Sequence, residues 1–406
     1  MLRPFGSLAA ALCMASSLLA CGDDSGGAGG SAGTGGAGGS GSKLTDADIA
    51  PVVQAYADNA HDAYGASLAG AFALQTAITT FIGDRTEDNL EAAKVAWAAA
   101  RPTYVETEVF RFYNGPIDNE ENGPEGRLNG WPLDEGYIDY VEGLPTAGII
   151  NDPEGYPVID KATIADANEI GGEKNLSAGW HAIEFLLWGQ DFSDDGPGSR
   201  PFTDYLPDDD EATTAPNGDR RADYLQAAAD LLVEDLETVE AQWHGGDGGY
   251  VDTFVTEGVG ALTKILIGMG SLSGGELKSQ RIANAFNERD QEEEHSCFSD
   301  TTHQDHVSDL QGIVNVYTGD WAGGSAAGLD DLVLKVDPAL DARMKADLAA
   351  AVAAVTAMPD PFDQGIQDDT VGGGREKTKL AMDALEKVTG TTVEVSTALG
   401  VTLNLE

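Results

Sequence analysis

From residue 46 onward the chain repeats its apolar residues every three or four positions, and that period restricts it to an all-α fold. Val53, Tyr56, Tyr64, Leu68, Phe72 and Ile78 mark a first helix over 46–82, broken by Gly83 and Asp84. A second is expected from Asp84, acting as cap with Glu87 three residues on, to about Phe112, kinked at Pro102. Residues 113–160 are rich in Gly, Pro and Asn, and so long a loop is expected to pack over a site. Helix returns at 160–171 and from Ser177 to about Gln190. After the Asp-, Pro- and Gly-rich stretch 191–219, helices follow near 219–243, 250–271, 274–292, 301–318, 328–357 and 375–389. Thr391 to Leu405 alternates β-branched and polar residues, the pattern of a short extended tail. The expectation is two helical bundles packed together: 44–200 and 220–390, joined by a linker over 201–219 and ended by a tail at 391–406.

The N-terminal residues read as an export signal over 1–20. Arg3 supplies the basic start, an apolar run of about a dozen residues follows, and Leu18-Leu19-Ala20-Cys21 closes it. The ending is similar to a bacterial lipobox, which makes Cys21 the expected lipidation site, with plain secretory cleavage the alternative. The run is shorter than the ~20 residues of a spanning helix. Residues 21–43 beyond the cysteine are almost all Gly, Ala and Ser, too polar and small to order, and read as a tether with a mean reach of about 25 Å. The expected place is the cell envelope, on the membrane through the lipid alone. Gly22 behind the cysteine favours the outer membrane over the inner. Once Cys13 leaves with the signal and Cys21 is lipidated, only Cys297 remains, so no internal disulfide can form. The balance of 23 basic to 69 acidic residues, −46 in all, excludes nonspecific nucleic-acid binding and draws cations toward the surface.

Three groups of residues could carry chemistry. His181 and Glu184 stand three apart in Gly179-Trp180-His181-Ala182-Ile183-Glu184-Phe185-Leu186-Leu187-Trp188, a segment apolar nearly all round and therefore a buried helix. A carboxylate there costs several kcal/mol unless it is paired or meets a cation. Two readings stay open: half of a metal site, or a histidine and glutamate bonded to neighbouring helices. Trp97, Arg101, Tyr104, Glu108 and Phe112 form an inward stripe, in which Glu108 is either a further ligand or the salt-bridge partner of Arg101. The run Asp290 to Asp300, with His303 and His306, crowds histidine, thiol and carboxylates without a paired-cysteine zinc frame. Its glutamates are expected in solvent, with His295 and Cys297 against the core. Outside the Gly/Ala/Ser tether no nucleophile elbow or dinucleotide fingerprint occurs, and the sequence has no P-loop and no H-E-x-x-H motif.

These segments together resemble the imelysin family of bacterial envelope proteins, whose G-x-H-x-x-E motif is matched by Gly179, His181 and Glu184. The likeness is strongest to the iron-regulated branch. It runs through Thr107 to Phe112, Gly115-Pro116-Ile117, Leu128 to Glu135, Tyr137 to Tyr140, Glu294 to Asp300 and Asn315-Val316-Tyr317. Thr302 departs from the asparagine expected there. The resemblance implies two helical bundles with the motif helix near their meeting, and a function either in iron handling or as an insulin-cleaving type of metallopeptidase. A zinc peptidase needs three protein ligands, an open position and a general base, the role that would fall to Glu184. A carboxylate-rich site instead suits iron. The expected ligands are His181, Glu184, Glu108 and Asp134, with Arg101 and His295 beside them, orienting ligands rather than touching the ion. The expected cofactor is iron, with zinc the alternative, and the expected partners are components of iron uptake. A structural or adhesive envelope protein is the remaining reading.

Overall fold

Eight long helices build the body. They are α1 (Asp46–Gly83), α2 (Glu87–Val105), α3 (Gly179–Trp188), α4 (Gly218–Trp243), α5 (Val259–Gly270), α6 (Thr302–Thr318), α7 (Pro338–Thr356) and α8 (Gly374–Leu399). The structure, a computed structural model, describes residues 44–193, 196–246, 248–321, 323–403 and 405. The signal, Cys21 and the tether lie outside the described residues.

The fold is all-α: among the described residues, strand pairing is limited to Asp320–Trp321 against Gly324–Ser325 and an isolated bridge between Val141 and Leu144. α1 begins at a capping box, in which Thr45 and Asp48 each satisfy the other's backbone N–H. Its buried side chains, Val53, Tyr56, Tyr64, Leu74, Ile78 and Phe81, pack against α2 and α4. α3 closes on α2 and α4, completing a first bundle. The second consists of α5, α6, α7 and α8, with α7 and α8 lying along each other. The two meet where α2 and the 3-10 turn Glu106–Phe110 lie on α6. At Gly312 of α6 an added Cβ would come within 2.4 Å of the Glu106 carbonyl oxygen, so this close approach requires glycine.

Several sequence expectations need correction. The segment 201–219 does not separate the bundles, because the helix that follows it, α4, packs on α1 and α3. Residues 44–406 fall within one compact unit. Residues 391–399 are not an extended tail but continue α8, since Val388, Thr391, Thr392, Val395, Ser396 and Leu399 recur at helical spacing and are buried. Tertiary burial overrides the β-branched composition there. The second helix stops at Val105 rather than near Phe112, passing into the 3-10 turn; Pro102 sits within its last turn. Its cap is Thr86, which accepts from the Asn89 N–H at 3.4 Å, while Asp84 ends α1. After α5 the chain does not start a new α-helix but winds as a π-helix over Ser271–Ala283. That wide winding is rare and concentrates at functional sites; here it delivers Arg281 to the interior.

Candidate metal centre

α3 is buried along its whole length. Gly179 opens it at φ +89°, and an added Cβ would lie 2.5 Å from the carbonyl oxygens of Arg127 and Leu128, so the first letter of the motif is a steric requirement. The indole of Trp97 on α2 donates to the Trp180 carbonyl at 3.0 Å, and Tyr224 on α4 donates to the Ser177 carbonyl at 2.6 Å. Each buried Ile, Phe or Leu of α3 stabilises the fold by roughly 1.5–3 kcal/mol, which offsets the cost of burying His181 and Glu184 beside them.

His181 Nδ1 lies 2.8 Å from Glu184 Oε2, while Glu184 Oε1 accepts from the backbone N–H of Ser299 at 2.9 Å and from its hydroxyl at 2.7 Å. The other ring nitrogen, His181 Nε2, faces His295 Nε2 at 3.3 Å. His295 Nδ1 in turn lies 3.2 Å from Asp305 Oδ2, which also accepts from the Ser296 hydroxyl at 2.8 Å. Two imidazoles thus stand tip to tip, each with a carboxylate behind it. Trp131 covers the pair, its ring 4.8 Å from that of His181 and 6.3 Å from that of His295.

Arg101 sits against this array. Its Nη2 donates to Asp305 Oδ2 at 3.0 Å and lies 3.3 Å from both His181 Nε2 and His295 Nδ1. Nη1 donates to Asn129 Oδ1 at 2.5 Å, and the rings of Trp97, Tyr104 and Trp180 surround the guanidinium at 5.6–5.9 Å.

Burial, followed by the charges of Arg101 and His295, holds His181 well below its usual pKa; burial also holds His295 down, with Arg281 and Arg101 adding to it. Burial pushes Glu184 up to about 8, against the opposing hydrogen bonds from Ser299. The proton positions follow from the partners. His295 Nδ1 carries hydrogen toward Asp305 and leaves its Nε2 a lone pair. Below about pH 8, Glu184 donates to His181 Nδ1, and the hydrogen on His181 Nε2 points at His295. Above it, Nδ1 carries the hydrogen and both Nε2 lone pairs face each other.

With metal–nitrogen bonds of about 2.0–2.1 Å, two imidazole nitrogens 3.3 Å apart suit one ion. A carboxylate on the far nitrogen of each ring is the arrangement that orients metal-bound histidines. Asp305 Oδ1 is also buried with no hydrogen-bond partner among the described residues. The fit is that of a half-site, since among the described residues no three His, Cys, Asp or Glu side chains converge on one point.

The other expected ligands lie elsewhere. Glu108 is buried, but its Oε2 takes Arg111 and Arg281, both at 2.5 Å, and its Oε1 takes Asn129 at 2.9 Å. Burial opposes its charge, yet the two arginines outweigh it and hold its pKa below the usual range. It reaches the centre through Asn129. Its salt-bridge partners are therefore Arg111 and Arg281, while Arg101 pairs with Asp305. Asp134 is exposed at the start of the short helix Glu135–Ile138, its backbone N–H bonded to the Lys174 carbonyl. Conversely His295, expected only beside the ligands, faces His181 directly, and Glu294 is buried rather than solvated. Asn129, Trp131, Ser296 and Ser299 come from strings that carry the family likeness. Asp305 had no signal beyond its place one turn into a helix. A cleft of about 430 Å³ reaches the centre past Asn129, Trp131 and His295, with Arg111, Glu125 and Arg281 on its walls.

The imelysin (peptidase M75) family model matches residues 60–391. The chain belongs to the imelysin family. Iron-regulated protein A of Synechococcus elongatus is 27% identical over 315 residues, covering 75% of this chain and 74% of that protein. The fold is shared with a chain described as an iron-regulated protein A precursor from Parabacteroides distasonis, at TM-score 0.69 and 22% identity over 89% of this chain and 97% of that one. It is shared too with an imelysin-like protein from Psychrobacter arcticum, at TM-score 0.64 and 14% identity over 89% and 99%. The chain is thus an imelysin-like protein, similar in sequence to iron-regulated protein A.

Proposed function

We propose that this imelysin is an envelope-anchored protein of iron handling that takes a metal ion, iron, between His181 and His295. The observation that carries the proposal is the pair of Nε2 atoms facing at 3.3 Å, each ring held from behind by a carboxylate. Imidazole donors suit iron among several transition metals, and kinship with iron-regulated protein A favours iron. The bound ion would act as a Lewis acid and one-electron centre. The chain's own role is to aim the two rings, shield them with Trp131 and take up or release the proton shared between them. Glu108, held by Arg111 and Arg281, and the exposed Asp134 lie away from this ion. The peptidase alternative is disfavoured because Glu184, the candidate general base, is fully buried and already engaged by His181 and Ser299.

Metal content by mass spectrometry after anaerobic loading with ferrous iron tests the site. About one iron per native chain is expected, lost in both His181→Ala and His295→Ala. Equal iron in all three would place it on the acidic surface and end the proposal. Binding should weaken as pH falls, because the metal replaces a proton between the rings. The anchor has its own test: Cys21→Ala should move the protein from the detergent phase to the aqueous phase, and a variant that stays with the membrane would refute lipidation at that residue.

A further inference from the structure

We propose that Arg101 is the cation that balances this centre without a metal, and that it limits metal affinity by repelling an ion at His181 Nε2 and by keeping Asp305 neutralised. The inference rests on the two-imidazole site just described. The guanidinium already occupies the places a metal would need to influence: it contacts Asp305 at 3.0 Å and stands 3.3 Å from the nitrogen of His181 that would bind the ion. Asp305 neutralises it, so the resting centre is balanced in charge without a metal.

Three aromatic rings and the Asn129 carbonyl hold the guanidinium in place. None of these contacts helps an incoming ion. A divalent cation beside His181 would lie within a few ångströms of a fixed positive charge in a dry interior, where like charges repel strongly. It would also find Asp305 already neutralised. A purely structural arginine would instead be expected to help the ligands, so that its loss weakened binding. Here the geometry predicts the reverse. A centre that keeps a guanidinium beside the metal position gives metal back readily, which suits a carrier more than a permanent cofactor site.

The test uses the full chain titrated anaerobically with ferrous iron against a chromophoric chelator, with melting temperature recorded with and without iron. Arg101→Gln should bind iron tighter than native by roughly a hundredfold and gain more melting temperature from it, and the added Arg101→Gln/His181→Ala change should abolish that gain. A folded Arg101→Gln that binds equally or more weakly overturns the inference, and the site itself still stands if native binding depends on His181. If neither native nor Arg101→Gln binds iron, both readings fall. If Arg101→Gln does not fold, Arg101→Lys decides the matter. It keeps a charge but cannot span Asn129, Asp305 and His181 together, so binding should tighten about tenfold, and unchanged or weaker binding overturns the inference.

Discussion

Two of the buried charge networks in this molecule differ in how their carboxylates are matched. In one, Asp139 accepts Arg200 at 2.8 Å, both ends of Arg221 at 2.6 and 2.9 Å, and Asn151 at 3.1 Å. Arg221 also donates to the Asp204 carbonyl, and the Asp204 carboxylate accepts from Tyr140 and Thr214. Both carboxylate oxygens of Asp139 and of Asp204 are matched, and the cluster pins the loop around 134–151 to the start of α4. In the other, Glu184 has no arginine bonded to it, Asp305 keeps a spare oxygen, and two imidazole tips face each other. Burial is alike in both, so burial does not tell fastening from function. Between these two, the spare oxygen of Asp305 and the facing imidazole tips set the motif network apart.

The sharpest way to break the comparison is to remove an arginine from the network around Asp139. Arg221→Met leaves Asp139 buried with one arginine instead of two, and should cost about 3–5 kcal/mol of stability. Iron bound per folded chain should not change. A variant that melts like the native protein would show that the network is not a fastener, and one that folds but loses iron would tie it to the site.

The second prediction uses pH, where the networks should respond with opposite sign. Burial disfavours the charge of Asp139, but Arg200 and Arg221 prevail and hold it below its usual range. Its contribution is therefore present above the unfolded pKa and lost as pH falls through the folded one. Glu184 is pushed up from 4.5 to about 8 by burial. Between those values the folded state binds the extra proton, so its effect is to lower stability as pH rises from about 5 to 8. Glu184→Gln mimics the protonated acid, since its amide can accept from Ser299 and donate to His181. It should match native stability near pH 5 and exceed it by about 3–4 kcal/mol at pH 8, measured by denaturant unfolding. The same amide fixes the hydrogen on His181 Nε2 and so should weaken iron binding by about 10–100-fold. Stability and binding moving together, or a flat native profile, would refute this account of Glu184.

The legible portion of this design follows one physical distinction. Residues whose role is set by local period were readable: the whole of α1, the course of α6, the buried motif helix and the inward course of Arg101. Residues whose role is set by a partner far along the chain were not. Glu108 lies on the inward stripe, yet its partner Arg281 is 173 residues away on a π-helix that no 3.6-residue period announces. His295 and Asp305 sit ten residues apart around a turn, and only the arrival of α3 makes them one site with His181. The same distinction explains α8, where packing against α7 decided for helix over a β-branched local preference.

The smallest expected effect comes from trimming one neutral donor in each network. Ser299→Ala removes the hydroxyl bond to Glu184 at 2.7 Å and keeps the backbone N–H. Ser299 works against the upward push of burial on Glu184. Its loss should raise that pKa further, extending the stability fall to higher pH and costing about 1 kcal/mol at pH 8–9, with less at pH 5 where the acid is already neutral. Asn151→Ala removes the matching donor to Asp139 at 3.1 Å. Asp139 stays ionised throughout that range because Arg200 and Arg221 hold its pKa down, so this cost should be the same at pH 5 and pH 9. Unfolding free energies at the two pH values give two differences to compare. A pH-dependent loss at Ser299 beside a constant one at Asn151 confirms that only the motif network holds a carboxyl ready to change state, and equal behaviour of the two variants would remove that distinction.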